Sequence, residues 1–510
     1  MSYFLSYDVG TSSVKAIMID LEGNILANAI EHYPLQMPRP GWVEQNPEDY
    51  WKAIVLSTRT MLDNSKVDKS QVEAMVFTTQ AMGIIPVAKS GELLNHNITW
   101  VDGRAELEAT KAMRRFLGRR VFKAIVGLEL TGKDVIPKLV WLKDNQPEMF
   151  NKTHKFLDVN GYLKYKATGK MVAEWSGACS YAFNVKTKDW ERLFFKIAGV
   201  GTDKLPDLVK STDLIGTLTP KAAEELGLDT HVSIFGGCDD TQSAALGTGA
   251  IQEQSAHIYL GTSAWIGVTS KKDYGFKNGA ACLQSAMPDK NLVVGITESA
   301  GVNIDWLIKQ FYQTEKKQLS EPEIFDLLEK ETSAVPPGSD HLIFTPWFLG
   351  ERCPVSTTTT RSTVFNLGHE HTRGHVIQAH FEGIAYNLRW AIENMVKDFK
   401  FDIKEISITG GGSQNSRWMQ TIANITQKKI ITSGHPKFAG AIGASVIAMV
   451  GSGKMQSFDH IHKIVHQRET FIPDSSTFEI YNKLFKDYKQ IYFGLKKAYI
   501  GANKERFNLK

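Results

Sequence analysis

The chain has 510 residues, 42% hydrophobic, 10% aromatic and 22% charged, a balance that excludes wholesale disorder or collagen-like structure and leaves room for about two to four domains. Lys plus Arg at 59 against Asp plus Glu at 55 leaves a net charge of +4, too thin an excess to argue for nucleic acid. Four scattered cysteines, Cys179, Cys238, Cys282 and Cys353, form no C-x-x-C pair, which argues against a disulfide framework or zinc site and fits a reducing cytosol.

Met1–Asp8 shows no basic stretch ahead of an apolar run, so it does not read as a secretory leader. Tyr3–Asp8 predicts a strand, then a glycine turn, then a second strand over Val14–Asp20. Asp20–Asn24 is a turn signal in which Gly23 or Asn24 takes positive φ. Asn46 is a candidate N-cap with Pro47 at the first helical position. Val72–Thr79 and Ile84–Val87 are strand candidates, and residues 103–170 read mostly as helices. His231–Phe235 predicts a short strand ending in Gly236-Gly237, with a helix starting near Asp240. Strands alternating with helices imply an α/β protein. Ala439–Val450 is the most apolar helical candidate, too short and glycine-interrupted to span roughly 30 Å of hydrocarbon. Tyr481–Lys510 carries Lys483, Lys486, Lys489, Lys496, Lys497, Lys504 and Lys510 and reads as a solvated closing helix.

One pattern occurs twice. Asp8-Val-Gly-Thr-Ser-Ser-Val14 resembles Tyr259-Leu-Gly-Thr-Ser-Ala-Trp265, about half the chain away, and each copy reads strand, Gly-Thr-Ser turn, strand. Glycine lets such a turn approach an anion closely, with backbone N–H groups and hydroxyls aimed at it. Two turns facing across a cleft would hold a polyphosphate from both sides, with a boundary between halves near Thr248–Ser255. Only the first copy carries an acid, Asp8, suited to a Mg²⁺ ion bound mostly through water; the alternative is a strand-end residue capping its own turn.

A third glycine cluster, Thr409–Asn415, ends a β-like run before a helix near Ser416; its bare backbone suits a flat ring, and Asn415 offers hydrogen bonds. Gly127–Asp134 nearly matches a P-loop, but Asp134 stands where a hydroxyl is required and would repel phosphate. Gly236–Thr241 is the best place for a catalytic base. Asp239 or Asp240 there would accept a hydroxyl proton, and a plain helix N-cap is the competing role. Thr79–Gly83 and Trp100–Arg104 look like carbohydrate contacts, the second also readable as a local Asp–Arg pair.

These elements in this order resemble the FGGY carbohydrate kinases, within the sugar kinase, actin and chaperone ATPase superfamily. The resemblance runs from Tyr7 to about Gly451. It also takes in Ile98–Arg104, Leu139–Pro147, Asp158–Tyr162, Ile215–Thr219, Gly350–Pro354 and Glu382–Tyr386. It implies two actin-like (ribonuclease H-like) ATPase domains with a nucleotide and sugar cleft between them. Residues 1–250 would bind the sugar and carry the base, and residues 251–510 would bind nucleotide. The family's catalytic Asp precedes a small-residue helix ending in glycine, a spacing that fits Asp240 and Gly247 and leaves Asp239 one residue off. The metal-linked acid falls on Asp8. ATP contacts fall on Gly10, Thr11, Ser12, Gly261, Thr262, Gly301, Gly411 and Asn415. Sugar contacts fall on Gln80, Ala81, Met82, Asp102, Arg104, Asp240 and Thr241.

Within the family, Lys204–Pro206, Leu218–Pro220 and the two hairpins look most like the xylulokinases. Those enzymes usually carry Gln-Met-His-Gly where this chain has Gln80-Ala81-Met82-Gly83, and Asn where it has Thr241. The implied reaction is ATP- and Mg²⁺-dependent phosphorylation of a sugar hydroxyl, D-xylulose first, in a cytoplasmic homodimer. Ribulose, erythritol and glycerol-like substrates are the same-fold alternatives. An actin-like nucleotide-gated binding protein and a sugar-sensing repressor are the other classes, and no basic helix-turn-helix precedes Tyr3.

Overall fold

The computed structural model describes residues 2–116, 118, 122 and 130–503. Gly127–Glu129, the start of the rejected P-loop match, lie outside the described residues, as do Lys504 and Lys510. Asp134 accepts hydrogen bonds from Thr131 N and Oγ1, a local turn partner.

Two mixed sheets form the frame. In the first, β1 (Tyr3–Val9) pairs antiparallel with β2 (Ser13–Ile19), which pairs antiparallel with β3 (Ile25–His32). On its other edge β1 runs parallel to β4 (Val72–Thr79), and β4 runs parallel to β5 (Ser233–Phe235). The second sheet repeats that plan. Its β6 (Ala256–Leu260) pairs antiparallel with β7 (Ala264–Ser270), β7 with β8 (Asn291–Thr297), while β6 runs parallel to β9 (Glu405–Thr409) and β9 to β10 (Lys429–Ser433). Short strands extend the edges, and Cys238–Asp239 pairs with the end of β4.

Alternation along β1 determines what each face meets. Leu5, Tyr7 and Val9 pack with Tyr50, Trp51 and Ile54 of α1 (Pro47–Ser65). Asn46 caps α1, accepting from Glu48 N at 3.1 Å, with Pro47 at the first turn. Phe4, on the other face, packs with Ala441, Ala444 and Ile447. Those residues belong to the helix Ala439–Gly451, contributed by the second half of the chain.

Helices important to the cleft are α2 (Asp240–Gly247), α3 (Gly301–Phe311), α4 (Arg373–Phe399), α5 (Ser416–Thr426), α6 (Ala439–Gly451) and α7 (Phe478–Asn503). Crossing of α2 and α6 joins the halves. A Cβ on Gly443 would lie 2.0 Å from Ser243 O, and one on Gly247 1.9 Å from Ala439 O, so only glycine permits this backbone contact. Ser6 Oγ donates to Ala441 O at 2.5 Å, a second tie across the same seam.

One expectation fails locally. Within the stretch read as helical, Thr153–Leu157 is a strand pairing antiparallel with Ile85–Ala88; helices occupy Glu106–Arg115, Val135–Asn145, Pro147–Lys152 and Val159–Thr168. The closing helix α7 is more than a solvated cover. Tyr481, Leu484, Phe485 and Tyr488 are buried in the second core, and Lys483, Lys486, Lys496 and Lys497 are exposed. No helix among the described residues is long and apolar enough to cross a membrane.

Candidate active site

The first Gly-Thr-Ser turn closes between β1 and β2, with Val9 opposite Val14 and Gly10 N donating to Ser13 O at 3.0 Å. Asp8 is on the β1 face that meets α6. A Cβ on Gly440 would be 2.6 Å from Asp8 Oδ2, so the bare first turn of α6 abuts this carboxylate. Burial pushes the Asp8 pKa up, with Lys15 on the paired strand opposing that shift.

Thr11 is bound toward the sugar-side loops. Its hydroxyl accepts from Trp100 Nε1 at 3.0 Å and donates to Gln80 Oε1 at 3.4 Å, while its carbonyl accepts from Gln45 Nε2 at 2.7 Å. Gln80 Nε2 in turn donates to Gln45 Oε1 at 3.0 Å and Tyr50 Oη at 3.3 Å. Asn97 Nδ2 donates to the same phenol, at 2.9 Å, and its Oδ1 is buried without a partner among the described residues. Sequence reasoning found Thr11 and Gln80 but missed Gln45, Tyr50 and Asn97, which join them only through long-range contacts. Ser12 is exposed, Ala81 half-buried, and Met82 is held at φ +62°, a left-handed backbone at the apex of the loop that costs a non-glycine residue about 1–2 kcal/mol.

Asp102 and Arg104 are buried together. Arg104 Nε and Nη2 grip the Asp102 carboxylate at 2.9 and 2.7 Å, and Nη2 also reaches Glu44 Oε1 at 2.7 Å. The guanidinium lies 3.9 Å from the Trp42 ring centroid, and Val43 N donates to Asp102 Oδ2 at 2.6 Å. Among the described residues Arg104 Nη1 is buried and unpartnered. Beside it Lys138 donates to Thr99 O at 2.8 Å, and burial pulls its pKa down to about 7.

Asp239 and Asp240 differ in their local hydrogen bonding. Asp239 caps α2: its Oδ1 accepts from Gln242 N at 3.1 Å and from the Thr241 hydroxyl. Asp240 is therefore released from capping and occupies the first helical position, while the Thr241 hydroxyl is engaged with Asp239. Both Asp8 and Asp240 keep some solvent contact. Burial raises the Asp240 pKa well above the usual carboxylate range, and the charges of Asp239 and Asp8 add to the shift.

In the second turn, Leu260 is opposite Ala264 and Gly261 N donates to Ser263 O at 3.0 Å. The start of α3 lies on it: Gly301 N donates to Gly261 O at 2.8 Å, and Ala300 N and Val302 N donate to Thr262 O at 2.9 and 3.1 Å. A Cβ on Gly301 would be 2.6 Å from Gly261 O. Glu351 supports the segment before α3, accepting from Glu298 N at 2.8 Å and Asn387 Nδ2 at 2.6 Å. Gly410 takes φ +96° against Leu260 O, whereas Gly411 faces open space. Asn415 caps α5 through Oδ1, accepting from Trp418 N at 2.7 Å, and its buried Nδ2 has no partner among the described residues.

Among the described residues no three His, Cys, Asp or Glu side chains converge as a metal cage. One carboxylate facing a polyphosphate grip matches Mg²⁺, which retains waters and takes phosphate oxygens as ligands.

Residues 3–247 match the family model described as the FGGY family of carbohydrate kinases, N-terminal domain, and residues 256–452 match its C-terminal domain. A xylulose kinase of Lactococcus lactis is 30% identical over 489 residues, covering 95% of each chain. A gluconokinase of Bacillus subtilis is 27% identical over 481 residues, covering 93% of each. The crystal structure of a ligand-bound xylulose kinase from Lactobacillus acidophilus superposes with a TM-score of 0.87 at 25% identity, covering 98% of this chain and 99% of that one.

Proposed function

The chain belongs to the FGGY family of carbohydrate kinases, and from that premise we propose that it transfers the γ-phosphoryl group of ATP to D-xylulose, giving D-xylulose 5-phosphate. The observation that carries the site assignment is the division of labour at the head of α2, where Asp239 caps the helix and leaves Asp240 to act. Residues 1–250 bind the sugar and supply the base; residues 251–510 bind the nucleotide.

Asp240 accepts the proton of the attacking hydroxyl. Its raised proton affinity suits that task, because a base too weak to hold the proton gives little assistance. The turns at Gly10–Ser12 and Gly261–Thr262 orient the phosphates through backbone N–H groups, and Gly301, Gly411 and Asn415 receive the nucleoside portion. Asp8 would hold Mg²⁺, which when bound would supply charge neutralisation at the phosphoryl oxygens. Positioning and electrostatics dominate such transfers, so fixed turns and a single carboxylate suffice. Gln80, Ala81 and Met82 border the sugar.

A second reading, a sugar acid as acceptor, has its own support. Arg104 Nη1, buried and unpartnered among the described residues, is a hydrogen-bond donor that a carboxylate could take, and one relative is a gluconokinase. An ADP-release assay over D-xylulose, D-ribulose, erythritol and D-gluconate separates these. D-xylulose is expected to give the highest kcat/KM. Preference for gluconate favours the second reading, and ATP turnover indifferent to every acceptor contradicts both.

A further inference from the structure

Tyr259 occupies in the second hairpin the place Asp8 holds in the first. Each is two residues ahead of its turn glycine, and each lies beside a threonine of the adjoining parallel strand, Thr409 for Tyr259 and Thr78 for Asp8. The repeated hairpin thus sets a phenol in one half of the chain within the electrostatic reach of Asp8 and Asp240 in the other.

The phenol is held rigidly. Its ring stacks on Trp265 with centroids 4.1 Å apart and planes 10° apart. On its other side is the turn backbone, where a Cβ on Gly261 would fall 2.5 Å from ring carbon Cε1. Among the described residues the hydroxyl makes no hydrogen bond. Burial and the charges of Asp8 and Asp240 raise its proton affinity, so it stays a neutral donor, within the field of both acids and without an acceptor of its own.

We propose that the Tyr259 hydroxyl donates a hydrogen bond to the γ-phosphoryl group of ATP and holds it toward Asp240. This rests on the reading of the cleft as the ATP site with Asp240 as base. The hairpin that carries Tyr259 also carries Gly261 and Thr262, so the phosphoryl group rather than the sugar is its neighbour. In the transfer the sugar oxygen bonds to the γ-phosphorus, and the bond from that phosphorus to the bridging oxygen breaks. The electron pair leaves with ADP, the hydroxyl proton passes to Asp240, and Tyr259 keeps its own.

Tyr259→Phe tests this while keeping the ring that stacks on Trp265. Calorimetric titration of the full chain with Mg²⁺ and either ADP or the β,γ-imido analogue of ATP isolates the γ-group. The analogue is expected to bind about tenfold more weakly and ADP within about twofold of the parent, the scale of one hydrogen bond to a charged acceptor. In parallel kcat falls by about tenfold or more, with the sugar KM unchanged. A merely structural ring would move both nucleotides together or neither, and either result overturns the proposal. Asp240→Asn titrated alongside keeps the two readings apart. If it turns over normally the base assignment fails; if it is inactive and Tyr259→Phe binds both nucleotides like the parent, only the role of Tyr259 fails.

Discussion

The two Gly-Thr-Ser turns share their letters and differ in nearly everything that surrounds them. The first has four residues between its last paired positions, Val9 and Val14, and the second three, between Leu260 and Ala264. Side chains hold the first: Trp100 and Gln80 take the Thr11 hydroxyl. Backbone holds the second, through the N–H groups of Ala300, Gly301 and Val302. The first turn is thus tied to the loops proposed to border the sugar, and the second to the helix proposed to receive the nucleotide.

That contrast can be broken from either side. The largest effect is expected from Gly301→Val, whose Cβ would press on Gly261 O and prise α3 off the second turn. Steady-state kinetics should show kcat/KM for ATP reduced by about 100-fold, on the scale of misplacing a reacting group by an ångström, with the sugar KM within about twofold. Equal losses for both substrates would mean that the turns do not act separately. Thr11→Val is the counterpart in the first turn. It strands Trp100 Nε1 without an acceptor, and the sugar KM should rise about tenfold while the ATP KM holds. A rise in the ATP KM instead would assign the Thr11 hydroxyl to phosphate.

The smallest effect concerns the support of the second turn. Glu351 is buried and its pKa is pushed up to about 8. Between the ordinary glutamate value near about 4.3 and about pH 8, the unfolded chain has released this proton and the folded chain keeps it, so its contribution to stability declines as pH rises through that window. Glu351→Gln removes the decline. The melting temperature of the variant, lower than the parent at pH 5, should close on it by about 2–4 °C at pH 8. A constant gap would contradict a raised Glu351 pKa.

Much of this frame was legible in the residues. The strand read over Tyr3–Asp8, the Asn46-Pro47 helix start and the glycine turn at 410–412 each act through local chemistry, and the structure has a strand over Tyr3–Val9, a helix from Pro47 and a turn at those glycines. Thr153–Leu157 was not legible as a strand, because its polar His154 and Lys155 lack strand alternation and its partner Ile85–Ala88 is distant in sequence. Matching letters also hid the unequal turns. Asp8 pairs across its hairpin with Lys15, but Tyr259 pairs with Trp265, one residue earlier than the letter alignment implies. The Gln45–Tyr50–Asn97 network was invisible for the same reason as the strand: three unremarkable polar residues become a support only when folding brings them beside Thr11. Helix α6 likewise gave no sign that it would complete the core of the opposite half.

The central claim is that Asp240 takes the proton from a sugar hydroxyl while separate turns hold the nucleotide, and the kinetics and nucleotide affinity of Asp240→Asn test it most directly. Asp240→Asn is expected to fold, to bind the β,γ-imido analogue of ATP within about twofold of the parent and to have kcat reduced by about 100-fold or more. Turnover near the parent value would contradict it.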